Sequence, residues 1–189
     1  MESPVNSVPL GLLIIRLSLG VMLEIHGLNK VFGSGGLAGT ARWFDGLGLH
    51  PGWLHARLAA ANEIGAAILM AAGLAFPVAG AAYIGLMAVA AMTDHRGKGF
   101  FVFKGGWEYV AIIGVIAAAL VSTGPGAYSL DAALGWHLTG PGWAGLAILV
   151  GLAAAGGLYF TATRWSAGQL SSERAADVGG TRTDASSSG

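Results

Sequence analysis

Five long stretches almost free of charge constrain this chain more than any other feature. They run from about Val8 to Phe32, Trp53 to Phe76, Pro77 to Thr93, Gly106 to Ser122 and Trp143 to Thr163. A helix needs roughly 17–25 apolar residues to cross a hydrocarbon core. Only 11% of the 189 residues are charged and the mean hydropathy is +0.64, whereas a soluble domain carries about 25% charge. The expectation is therefore all-α: a transmembrane helix bundle with a four-helix core plus a fifth C-terminal span. It forms one domain over 1–165, followed by a disordered polar tail over 166–189, where Ser, Gly, Ala and mixed charges replace the apolar runs. The other reading of the first run, a soluble amphipathic helix, sits poorly beside four more such runs.

Between the third and fourth runs lies Met92 to Tyr109, M-T-D-H-R-G-K-G-F-F-V-F-K-G-G-W-E-Y. Gly97, Gly99, Gly105 and Gly106 interrupt any helix through it. It reads as a polar hairpin at one face of a bilayer, with aromatics at headgroup depth. The stretch A-R-W-F-D-G-L-G-L, within Gly33 to Gly52, reads as a short helix lying in the interface. Gly124 onward is a polar connector with one acid, Asp131.

Five spans alternate sides. Lys30, Arg42, Arg57, Arg96, Lys98, Lys104 and Arg164 then fall on one side. The other side, with the N-terminus, the Pro77 turn and the Asp131 connector, carries neither Lys nor Arg. The positive-inside rule puts the N-terminus outside and the C-terminus in the cytoplasm. Met1 to Val8 lacks the basic start of a secretory signal, so the first run is expected to stay in the mature protein. The absence of cysteine excludes disulfides and thiolate chemistry within the chain, and zero net charge gives no sign of nucleic-acid binding. The bilayer itself is the first partner implied.

Ionisable groups inside spans are costly and are functional candidates by default. Arg16, His26, Lys30, Glu63, Asp94, His95 and Glu108 form the candidate polar pocket, most of them placed by helical rise in the cytoplasmic half. Each has a plainer reading. Lys30, Arg96, Lys98 and Lys104 fit headgroup contacts, His95 fits the interface, and Glu24 fits a pair with a neighbouring base. No H-x-x-E or H-E-x-x-H spacing supports a metal site. Arg16, Gly20, Leu23 and Gly27 share one helix face, while Ala59, Glu63, Ala66, Ala67 and Met70 share another. Both faces suit close contact, and an Arg16–Glu63 pair is expected, either structural or part of a site. H-G-L-N-K-V-F-G at His26 echoes H-R-G-K-G-F-F at His95. Repeated hairpins account for the echo, and so does shared juxtamembrane composition.

Several motifs in order carry a family resemblance. They are R-L-x-L-G at Arg16 to Gly20, H-G-x-x-K-x-F-G at His26 to Gly33, and N-E-x-G at Asn62 to Gly65. G-F-F at Gly99, G-G-W-E at Gly105 to Glu108, and G-P-G-x-Y-S-L-D at Gly124 to Asp131 complete the series. Over about 8–134 the chain resembles the DoxX family. The resemblance implies a small multi-pass protein of the bacterial inner membrane, built on about four helices. The related DoxD proteins are subunits of a thiosulfate:quinone oxidoreductase. The resemblance therefore implies a redox-associated subunit acting at or near the quinone pool, with quinone as the candidate bound molecule and other proteins of a membrane redox complex as partners. Two alternatives stand beside it: a non-catalytic membrane anchor for soluble redox enzymes, and a small-molecule transporter using the same pocket. The segment after Trp143 departs from the four-span plan of the family.

Overall fold

The computed structural model describes the backbone of residues 7–184 and the side chains of 7–162 and 164. Among these residues there are seven α-helices, one 3-10 turn at Val102–Lys104 and no strand. The helices are α1 (Ser7–Phe32), α2 (Gly36–Gly46), α3 (Gly52–Ala72), α4 (Phe76–Met92), α5 (Glu108–Thr123), α6 (Leu130–Ala133) and α7 (Pro141–Asp184). The backbone is helical to Asp184, into the segment 166–189 expected to be a disordered tail. The side chains of that segment, and residues 185–189 altogether, lie outside the described residues.

Two helices are long and apolar enough to cross a membrane, Ser7–Phe32 and Pro141–Ala162. Helices α4 and α5 are apolar but hold 17 and 16 residues. That is about 25 Å of rise, short of a core about 30 Å thick. Helix α3 is 21 residues long and carries His55, Arg57 and Glu63. By length and composition alone the chain marks two spans where the sequence predicts five.

Helix α1 buries Arg16, Leu19, Gly20, Leu23 and Gly27, a stripe at helical spacing. Its glycines set the approach of α3. A Cβ on Gly20 would lie 2.8 Å from the Ala71 Cβ, and one on Gly27 would lie 2.7 Å from Ile64 Cγ1. As α1 advances from Gly20 to Gly27, its contacts on α3 step back from Ala71 to Ile64, so the two helices run antiparallel. Small residues let backbones meet this closely. The main core joins α1, α3, α4, α5 and α7 through Leu23, Met70, Phe76, Tyr83, Val121 and Ala147. Tyr83 crosses it to donate its hydroxyl to Leu19 O at 2.9 Å.

The interfacial stretch folds as α2 and packs Phe44 with Leu49, Ala56 and Ala162. The polar hairpin closes on itself: Trp107 N donates to Gly99 O at 3.2 Å and Glu108 N to Phe100 O at 2.9 Å. Gly97, Gly99 and Gly105 all have positive φ, as their place in tight turns requires. Phe100 packs edge-on against Phe101 and Trp107, and Phe101 stacks on Phe103. These four rings are exposed.

Candidate functional site

Lys30 closes the last turn of α1, and Glu63 sits mid-helix on α3. The antiparallel packing brings them together. Lys30 Nζ donates to Glu63 Oε1 at 2.7 Å and Oε2 at 2.8 Å. Both side chains are largely buried, 14% and 6% exposed. A desolvated, doubly hydrogen-bonded pair of this kind is strong, and breaking it strands a charge. Thr40 of α2 donates to Lys30 O at 3.2 Å, tying α2 to the end of α1.

The pair lies in the wall of a cavity of about 610 Å³, within the range that takes a small organic molecule. One side is apolar, with Leu23, Leu86, Met87, Ala155 and Leu158. Trp43 and Phe44 of α2 give it aromatic surface. His26, His55, Asn62, Asp94, His95 and Tyr109 add polar groups. The arrangement accepts an amphipathic guest: apolar contact over most of its surface and hydrogen bonds at a few points.

Each histidine in the wall has one nitrogen committed to a backbone carbonyl. His26 Nδ1 lies 2.8 Å from Met22 O, His55 Nε2 lies 3.2 Å from His50 O, and His95 Nδ1 lies 2.6 Å from Gly105 O. His55 is the most enclosed at 9% exposed, and its Nδ1 is buried with no hydrogen-bond partner. Among the described residues no three of His, Asp and Glu converge to hold a metal ion.

Of the residues singled out in the sequence, His26, Lys30, Glu63, Asp94 and His95 line this cavity. Asp94 also lies 3.5 Å from Lys98 Nζ, a partly exposed pair one turn apart. Lys30, which fitted a headgroup contact, is instead the partner of Glu63. The Oε2 of Glu24, expected to meet a base, is buried without a hydrogen-bond partner. Glu108 stays out of the cavity. Its Oε2 accepts from Val102 N at 3.0 Å, bracing the hairpin.

Arg16 is the main correction. It does not reach Glu63. Fully buried, it donates to Ala71 O at 3.1 Å, Met70 O at 3.5 Å and Tyr128 O at 2.5 Å. The reason is register. In the antiparallel pair the first half of α1 faces the C-terminal end of α3, and Glu63 lies about 10 Å back along that helix. The carbonyls of a helix end carry partial negative charge and lack intrahelical donors, so they suit a guanidinium. Gly73, at φ 63°, closes on the guanidinium so tightly that a Cβ there would collide with Arg16 Nη1.

Sequence reasoning passed over His55 and Tyr109, and named Asn62 only within a family motif. His55 extends the α3 stripe of Ala59 and Glu63 by one turn, and that periodicity was the signal for it. Asp131, read from the sequence only as the acid of a connector, is buried and accepts from Ala75 N at 2.8 Å and Phe76 N at 3.1 Å. Asp131 thereby caps the start of α4 from 55 residues away. Residues 11–96 match the DoxX family profile. No curated protein and no solved structure gives a significant match.

Proposed function

Starting from the match of residues 11–96 to the DoxX family, we propose that the chain is a DoxX-type multi-pass membrane protein whose cavity binds a molecule of the quinone pool, as a redox-associated subunit. The observation that carries this reading is the cavity itself: about 610 Å³, mostly apolar, with the Lys30–Glu63 pair and three histidines in its wall. A ring with a polar edge and an isoprenoid tail matches that division.

The membrane topology in this reading has α1, α3, α4 and α5 as the transmembrane core and α7 as a fifth span. Outward apolar side chains support it. Ile25, Ile68, Val78, Val115 and Leu149 are each more than half exposed, and they come from all five helices. A belt of that kind is costly in water and natural in lipid. The basic residues Lys30, Arg57, Arg96 and Lys98 cluster at the cavity end, which favours placing that end in the cytoplasm of a bacterial inner membrane.

A second reading, a membrane anchor for soluble redox enzymes, draws on the hairpin, whose Phe100, Phe101, Phe103 and Trp107 are exposed beside Lys98 and Lys104. Mass spectrometry of the gently solubilised complex separates the two. The quinone reading expects an isoprenoid quinone or quinol to co-purify, and to be lost from Ala59→Trp, which fills the cavity. A soluble protein partner with no lipid-soluble redox molecule would replace it with the anchor reading.

A further inference from the structure

Four residues that line the cavity are also exposed, and they mark where it opens. They form two rims of unlike chemistry. His26 of α1 and Trp43 of α2 stand at one, on the two helices that Thr40 ties together, and offer an imidazole and an indole N–H. Leu58 of α3 and Ala154 of α7 stand at the other and offer carbon alone. Leu58 is 49% exposed.

The carbon rim belongs to a cleft between two helices. Helices α3 and α7 meet through Ala56 and Ala162, in the apolar cluster with Phe44 and Leu49. Past that point the cavity lies between them. Leu58 and Ala59 line it from α3, and Ala154, Ala155 and Leu158 line it from α7. The floor is α4, where Gly85 lies against Gly151. Leu58 is about 9 Å along α3 from Gly52, and Ala154 is about 12 Å along α7 from Ala162. In the topology proposed above, both depths fall within one leaflet, whose hydrocarbon is about 15 Å thick. This rim therefore opens toward acyl chains. A hydrated solute passing it would lose water with no polar group to replace it, whereas a hydrocarbon chain loses nothing.

We propose that the cleft between α3 and α7 is a lateral mouth, through which the hydrocarbon tail of the guest extends into the bilayer and by which the guest enters from lipid. Its polar head then lies inward, toward Asn62 and the Lys30–Glu63 pair. The substrate class that follows is a one-tailed amphiphile dissolved in the membrane. A compact water-soluble solute is excluded from this route.

The inference rests on the proposed cavity and topology and fails separately from them. The chain has no cysteine, so Ala154→Cys takes a single nitroxide label. The full chain is placed in lipid nanodiscs, and paramagnetic resonance is read with oxygen, which concentrates in hydrocarbon, and with a water-soluble nickel chelate. Greater accessibility to oxygen is expected. Decyl-quinone and the same ring without its tail are then added, and their binding is followed by calorimetric titration. The decyl compound should slow the label, and the tail-less ring should bind without slowing it. Ala154→Trp, which fills the mouth, should lower affinity for the decyl compound severalfold more than for the tail-less ring. Taking each compound against the wild-type protein cancels its partition into lipid. A label more open to the nickel chelate overturns the lateral mouth and puts entry on the water side. Decyl-quinone that binds without slowing the label, or an Ala154→Trp loss equal for both compounds, sends the tail elsewhere and overturns the inference while the site stands. If neither compound binds, the site fails and the inference with it.

Discussion

Two groups of buried charge divide this molecule into two unlike ends. At one end Arg16 spends its hydrogen bonds on three backbone carbonyls, and Asp131 spends its oxygens on two backbone amides. Arg16 Nε is left without a partner. At the other end Lys30 and Glu63 pair with each other in the wall of a cavity. Both ends hold charge away from water. Only the second borders open space. The contrast teaches that a buried ion in a membrane-type bundle is not by itself a sign of chemistry. Arg16 joins α1 to the end of α3 and to the connector before α6, a structural fastening, whereas Lys30 and Glu63 form a surface that a guest can touch.

The sharpest way to break the contrast is Arg16→Met. It takes a donor from three carbonyls, of which Met70 O keeps Gly73 N, and removes the positive charge that acts on Asp131. Losing one member of a buried charged network costs about 3–5 kcal/mol. Thermal unfolding in detergent should show that loss whether or not a ligand is added. A variant as stable as the wild type would mean the closed end is no fastening at all.

Glu63→Gln should cost less, about 1–3 kcal/mol, because the cavity lets water or a guest reach the stranded Lys30. Its larger effect should be on binding. Lys30→Met combined with Glu63→Leu should regain most of the stability, while affinity for the guest stays lost. A double variant that restores both would make this pair as purely structural as Arg16. Additive losses would show that the two side chains are not coupled.

The smallest effect should come from Glu108→Gln. Its one contact braces an exposed hairpin and amide oxygen can take the same hydrogen bond, so stability should move by no more than about 0.5 kcal/mol. Guest affinity should not move. A fall in affinity measured by the same titration would extend the site into the hairpin and blur the line between the ends.

The helices were legible because long apolar runs leave little else for the backbone to do, and the α1 face of Arg16, Gly20, Leu23 and Gly27 followed from 3.6-residue periodicity alone. Five of the seven candidate site residues line one cavity for a related reason: depth along a helix is nearly a linear function of residue number. What depth does not give is register between helices. Whether Glu63 meets Arg16 or Lys30 depends on how α1 and α3 slide past each other, and that is set by the Gly20–Ala71 and Gly27–Ile64 contacts across more than 35 residues of chain. The partners of Arg16 are main-chain oxygens, which have no letter in a sequence. His55 went unseen for a different reason. It stands at the start of α3 among residues that look interfacial, and its free nitrogen depends on where the His50 carbonyl points.

Helix α7 touches α4 where Gly151 meets Gly85. A Cβ on Gly151 would lie 3.0 Å from Gly85 N, and one on Gly85 would lie 3.0 Å from Gly151 O. From that seam Ala154, Ala155 and Leu158 continue as one side of the cavity, and all of them lie beyond residue 96, where the family match ends. The border of the family match is therefore not the border of the chamber. A different last helix closing on α1 and α3 would keep the lock's pins and change its keyhole, without altering a residue of the matched part.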